Sequence, residues 1–159
     1  MKTLSRIGLT LGRQHMLRPI HAAAIALMLP AAVLAGPIKD RQVIMEGNGR
    51  DTKAAAAMLK GETPFDAAAA NKILANYVAA AKAFPAHFPA SSKTGGKTEA
   101  SSAIWSMPAD WKIATEKFQK DTAAAAALKP ATAAEFGKAF GMVTANCKSC
   151  HEGFRIKKG

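Results

Sequence analysis

After residue 35, no stretch of this 159-residue chain alternates apolar and polar residues at period two for long enough to make a strand, which confines it to helices. Alanine runs at 54–57, 67–70 and 123–127 reinforce the restriction. Alanine has the highest intrinsic helix propensity, and each run lies inside a longer apolar stripe. The spacing predicts four helices. The first covers about 38–59, with Ile38, Arg41, Met45, Thr52, Ala56 and Leu59 on one face; Gly47-Asn48-Gly49 inside it is a place for a local kink. The second covers about 66–83, presents Ile73 or Leu74, Tyr77, Ala81 and Phe84, and is ended by Pro85 and Pro89. The third starts near Pro108, a residue suited to a first helical turn, and carries the stripe Trp111, Thr115, Phe118, Thr122, Ala125 and Leu128. Pro130 closes it, and Thr132-Ala133-Ala134-Glu135 reads as a capping box that opens the fourth helix, running to about Phe154. Short connections make helices one and two, and helices three and four, antiparallel hairpins. The segment 85–102, rich in Pro, Ser, Lys and Gly, is the longest loop. The expected fold class is all-α: one domain, 36–159, as an antiparallel up-down-up-down four-helix bundle.

Residues 1–35 do not fit that domain. Lys2, Arg6, Arg13 and Arg18 stand there without an acidic residue, followed by an apolar run at 19–34 and the small-residue stretch Val33-Leu34-Ala35. This is the pattern of a cleaved signal peptide. The run is shorter than the roughly 20 apolar residues of a membrane span and is interrupted by His21 and Pro30, so stable insertion after cleavage is not expected. The expected compartment is the periplasm. Residues 36–159 hold 18 basic and 11 acidic side chains, a net charge of +7. The basic residues are spread along the chain and aromatics are few, which disfavours nucleic acid and leaves an acidic partner protein, or simply a solvated basic face.

Two cysteines in an exported chain would ordinarily read as one disulfide. Here they form Cys147-Lys148-Ser149-Cys150-His151, the haem-attachment signature. Phe136, Phe140, Val143, Cys147, Cys150, His151 and Phe154 fall at helical spacing on one face. Two thiols one turn apart can reach the two vinyl groups along one porphyrin edge, and the adjacent histidine can reach the iron. A zinc site with His87 as fourth ligand, a redox thiol pair and a plain disulfide are the competing readings.

Together with Arg41-Gln42-x-x-Met45 and the Ile104-Trp105 pair, this terminal motif makes residues 36–159 resemble the class II cytochromes c, the family of cytochrome c-prime and its low-spin, methionine-ligated relatives. The resemblance implies a haem c with its iron, held between the helices by thioethers from Cys147 and Cys150. It implies His151 as the proximal axial ligand, Arg41 and Gln42 at a haem propionate, and Trp105 and Arg155 in the haem surroundings. Met45 occupies the family position whose side chain either binds the iron, giving a low-spin centre, or merely covers it, leaving a pocket for carbon monoxide or nitric oxide. The following Glu46-Gly47-Asn48-Gly49 looks more like the low-spin relatives. Met58, Met107, Met142 and His87 are the other candidate distal ligands. The expected function is one-electron transfer with redox partner proteins through acidic docking surfaces, as a monomer or homodimer, with gas binding as the alternative. No nucleophile–base arrangement or phosphate-cradling loop indicates an enzyme.

Overall fold

Pro37, whose fixed φ suits a first turn and whose missing N–H would be unsatisfied there anyway, opens helix α1 (Pro37–Leu59) in the computed structural model, which describes residues 36–156. Residues 1–35, read as a leader, lie outside the described residues. Asp66 starts α2 (Ala67–Ala83) by accepting the amides of Ala68 and Ala69 on Oδ1, at 2.8 and 3.0 Å. Pro108 opens α4 (Pro108–Ala127), preceded by the one-turn α3 (Ala103–Ser106). The capping box forms as expected at the head of α5 (Ala133–Phe154): Thr132 Oγ1 accepts from the Glu135 amide, and Glu135 Oε2 accepts from the Thr132 amide.

The neighbouring pairs are α1 with α2, α2 with α4, α4 with α5, and α5 with α1, which closes the four-helix bundle. Its core joins Ala55 and Met58 of α1, Ala70, Ile73, Leu74 and Tyr77 of α2, Ala125 of α4, and Phe136, Ala139 and Val143 of α5. Among the described residues, no helix is long and apolar enough to cross a membrane.

Three expectations change. Helix α1 runs unbroken through Gly47-Asn48-Gly49, because Asn48 is anchored there to α2. The buried face of α1 uses Ala55 and Met58, with Ala56 and Leu59 only half-buried. Leu128, placed on the α4 stripe, is 56% exposed, because α4 has already ended.

The connection between α2 and α4 is ordered by 3-10 turns at Phe84–His87 and Ala90–Ser92. Its Gly96 lies against α1 with φ +54°; a Cβ there would meet Ile38 at 3.3 Å, so glycine is required both by conformation and by space. Its far end is tied to the end of α5: Ser101 donates its amide to the Phe154 carbonyl at 2.9 Å, and Ile156 to that of Glu99 at 2.8 Å.

Candidate haem site

The buried face of α5 is Phe136, Ala139, Val143 and Asn146, so the signature residues lie on its flank: Cys147 and His151 exposed, Cys150 half-buried. Both thiols are free. Burial pushes each of them up, which keeps them protonated at neutral pH. Burial, and then the charge of Arg155, hold the His151 imidazole below its ordinary value, against a smaller opposing pull from Glu99. The neutral imidazole is the form that binds a metal. Among the described residues, no three His, Cys, Asp or Glu side chains are grouped to hold a metal ion. The zinc arrangement is therefore not assembled. His87 sits instead on the connection, with Nδ1 3.5 Å from Asp40.

The sequence-predicted distal residue stands on α1. Met45 is half-buried, and the Asn48 amide donates to its sulfur at 3.9 Å. The Asn48 carbonyl in turn accepts from the Thr52 hydroxyl at 2.7 Å and from the Tyr77 hydroxyl at 3.2 Å, with Thr52 and Tyr77 themselves 2.6 Å apart. Burial raises the Tyr77 phenol, against a smaller opposing pull from its bond with Thr52. Tyr77 thus ties α2 to the Asn48 turn of α1 that carries Met45. Met58 is instead part of the core, and Met107 and Met142 are exposed.

Arg41 is 5% exposed, an unusual place for a guanidinium. Its Nη1 donates to the His87 carbonyl (3.1 Å) and Ser92 Oγ (3.0 Å), and its Nη2 to the Ser92 carbonyl (2.9 Å) and Thr98 Oγ1 (2.5 Å). All four acceptors are neutral. Burial shifts this group down, and none of its four acceptors among the described residues is a carboxylate. A buried cation without an anion is costly, and a carboxylate supplied by a cofactor would relieve it. Beside it, Gln42 Nε2 donates to the Lys97 carbonyl at 2.9 Å.

The Arg41 guanidinium also lies 4.9 Å from the centre of the Phe88 ring. Phe88 meets Trp111 edge-on at 4.8 Å, and Trp111 meets Phe154 at 5.2 Å. Trp105, 6.2 Å from Phe88, donates its indole N–H to the Phe88 carbonyl at 3.0 Å. These rings join the buried arginine to the end of α5, three residues past His151. Arg155 is held there by Glu99, with Nε 2.8 Å from Oε2. Two free thiols a turn apart, an imidazole beside them and a buried guanidinium whose acceptors are all neutral fit a covalently bound haem.

Asn146, which the sequence did not single out, fixes the helix just before Cys147. It is buried, and its Nδ2 donates to Asp121 Oδ2 of α4 at 2.9 Å, while Lys117 also pairs with that carboxylate. The bonds from Lys117 and then Asn146 hold the Asp121 carboxyl below its ordinary value. The unfolded chain protonates this group near pH 3.9 and the folded chain only lower, so its stabilisation is present above about pH 4 and lost as pH falls below that. Asn146→Ala is expected to cost about 2 kcal/mol and to move Asp121 back up; chemical denaturation and a carboxyl NMR titration read the two effects. Unchanged stability would show that this bond does not hold α5 on α4.

The family model described as Cytochrome C' matches residues 36–155. The chain is 46% identical over 123 residues to cytochrome c' of Rhodopseudomonas palustris, covering 76% of this chain and 82% of that protein. To cytochrome c-556 of Agrobacterium fabrum it is 37% identical over 144 residues, covering 89% and 97%. The solved structure of cytochrome c' from R. palustris superposes with a TM-score of 0.72 at 41% identity, covering 77% of this chain and 98% of that one. With a family match across nearly all the described residues and relatives of this identity, the chain belongs to the cytochrome C' family.

Proposed function

We propose that this protein is an exported one-electron carrier whose haem iron is low-spin, with the His151 imidazole as one axial ligand and the Met45 thioether as the other. As a family member it is a c-type haem cytochrome, and haem c with its iron is its cofactor. The observation that carries the finer reading is the placement of Met45. It stands on the α1 face with Arg41 and Asn48, its sulfur accepting from the Asn48 amide, and Asn48 is tied to α2 through Tyr77.

Bound haem supplies the chemistry, an iron that alternates between ferric and ferrous. The residues of the chain hold and tune it. Cys147 and Cys150 would provide the thioethers, which prevent loss of the group after export. His151 offers a lone pair because its surroundings keep it neutral. A Met45 thioether on the iron would favour the ferrous state, and with His151 and Met45 both kept in the two oxidation states little would rearrange when an electron moves. Arg41 would bring positive charge to a propionate while its terminal nitrogens hold the connection, with Gln42 beside it and Trp105 and Arg155 in the surroundings. Residues 1–35 would be the leader removed on export to the periplasm. The +7 charge of the remainder suits an acidic redox partner met by a monomer, with an association rate that falls as salt rises.

The second reading is a high-spin centre that binds carbon monoxide or nitric oxide. It is favoured by the higher identity to a protein named cytochrome c' than to one named cytochrome c-556. Carbon monoxide separates the two. The reduced protein of the electron-carrier reading changes its absorption spectrum little on exposure to the gas. Ready formation of a carbonyl complex moves the assignment to gas binding.

A further inference from the structure

Asn48 stands three residues after Met45 on α1, between two glycines that would let an isolated helix bend. Its two halves do different things. The backbone carbonyl is fixed to the core by the Thr52 and Tyr77 hydroxyls, at 2.7 and 3.2 Å. The side-chain amide donates to the Met45 sulfur, 3.9 Å away.

We infer that Asn48 is a positioning residue that orients the Met45 thioether and sets its strength as an electron donor. The inference rests on the reading of Met45 as the distal ligand. A thioether sulfur has two lone pairs. One can bind a metal while the other accepts an N–H, and the distance fits a sulfur acceptor, which is weak and long. A donor on the second pair draws electron density from the sulfur. That makes it a poorer base toward the more electron-demanding ferric ion, so the amide favours the ferrous state. Tyr77 and Thr52 make this orientation stiff, because they remove the freedom that Gly47 and Gly49 would otherwise give the turn. The side chain can be altered without touching their bonds, which end on the backbone.

The test compares wild-type holoprotein with Asn48→Ala and Asn48→Gln. Asn48→Ala is expected to shift the ferric–ferrous equilibrium about threefold toward ferric, a fall in midpoint potential of about 28 mV at 59 mV per tenfold for one electron. It is also expected to move the Met45 ε-methyl resonance in NMR spectra while leaving the thermal midpoint nearly unchanged. Asn48→Gln, which retains an amide on a longer arm, is expected to recover at least half of the shift. An unchanged or raised potential in Asn48→Ala, with the iron–methionine absorption band intact, overturns the inference and leaves Met45 ligation standing. A wild-type protein without that band overturns Met45 ligation and this inference together.

Discussion

Replacing Arg41 with alanine lowers the thermal midpoint of the holoprotein by about 12 °C, a loss of about 3 kcal/mol for a domain of this size. The size follows from what the guanidinium holds. It is buried, bonded to the His87 and Ser92 carbonyls and to the Ser92 and Thr98 hydroxyls, and lies against the Phe88 ring. Hydrogen bonds from a charged donor contribute about 1.5–3 kcal/mol each in net terms, but the cost of burying the cation offsets much of that sum. Removal frees the connection from α1 and leaves buried oxygens without donors. Arg41→Lys recovers little, because one ammonium cannot span the acceptors that a planar fork reaches. Limited proteolysis should then cut within 88–102, where wild type resists. A midpoint within about 2 °C of wild type would mean that the connection is held by Gly96, Gln42 and the aromatic rings without the arginine.

Changing Cys147 and Cys150 together to serine removes covalent haem altogether. Acid–acetone extraction, which leaves haem on the wild-type polypeptide, should strip the double variant completely. A hydroxyl does not replace a thiol in a thioether link. The fold should survive, because the buried face of α5 runs through Phe136, Ala139, Val143 and Asn146 and leaves both cysteines on the flank. Helical circular dichroism therefore stays near wild type while extracted haem rises to the whole. Haem that still resisted extraction would show that attachment does not run through these two residues.

The bundle was legible because proline, aspartate and a capping box marked the helix boundaries and no segment offered a strand period. The attachment motif was legible because its spacing is specific. The phase of α1 was not. In the run Ala54 to Ala57 every position is equally apolar, so periodicity cannot choose between burying Ala55 and burying Ala56; packing in the bundle core chose Ala55. The ordered connection was hidden for a different reason. Its anchors pair Arg41 with residues 46, 51 and 57 positions away, and no local pattern announces contacts at that range. Asn48 and Asn146 were hidden too. Asparagine is a poor helix former; the Asn146 bond to Asp121 exists only once α5 has packed on α4, and the Asn48 carbonyl meets Tyr77 only once α1 has packed on α2.

The most direct test is the absorption spectrum of the ferric holoprotein, recorded for wild type beside Met45→Ala. A low-spin spectrum with an iron–methionine charge-transfer band, lost in Met45→Ala, is the result expected of an electron carrier ligated by His151 and Met45. A high-spin ferric spectrum that is the same in both proteins would contradict it.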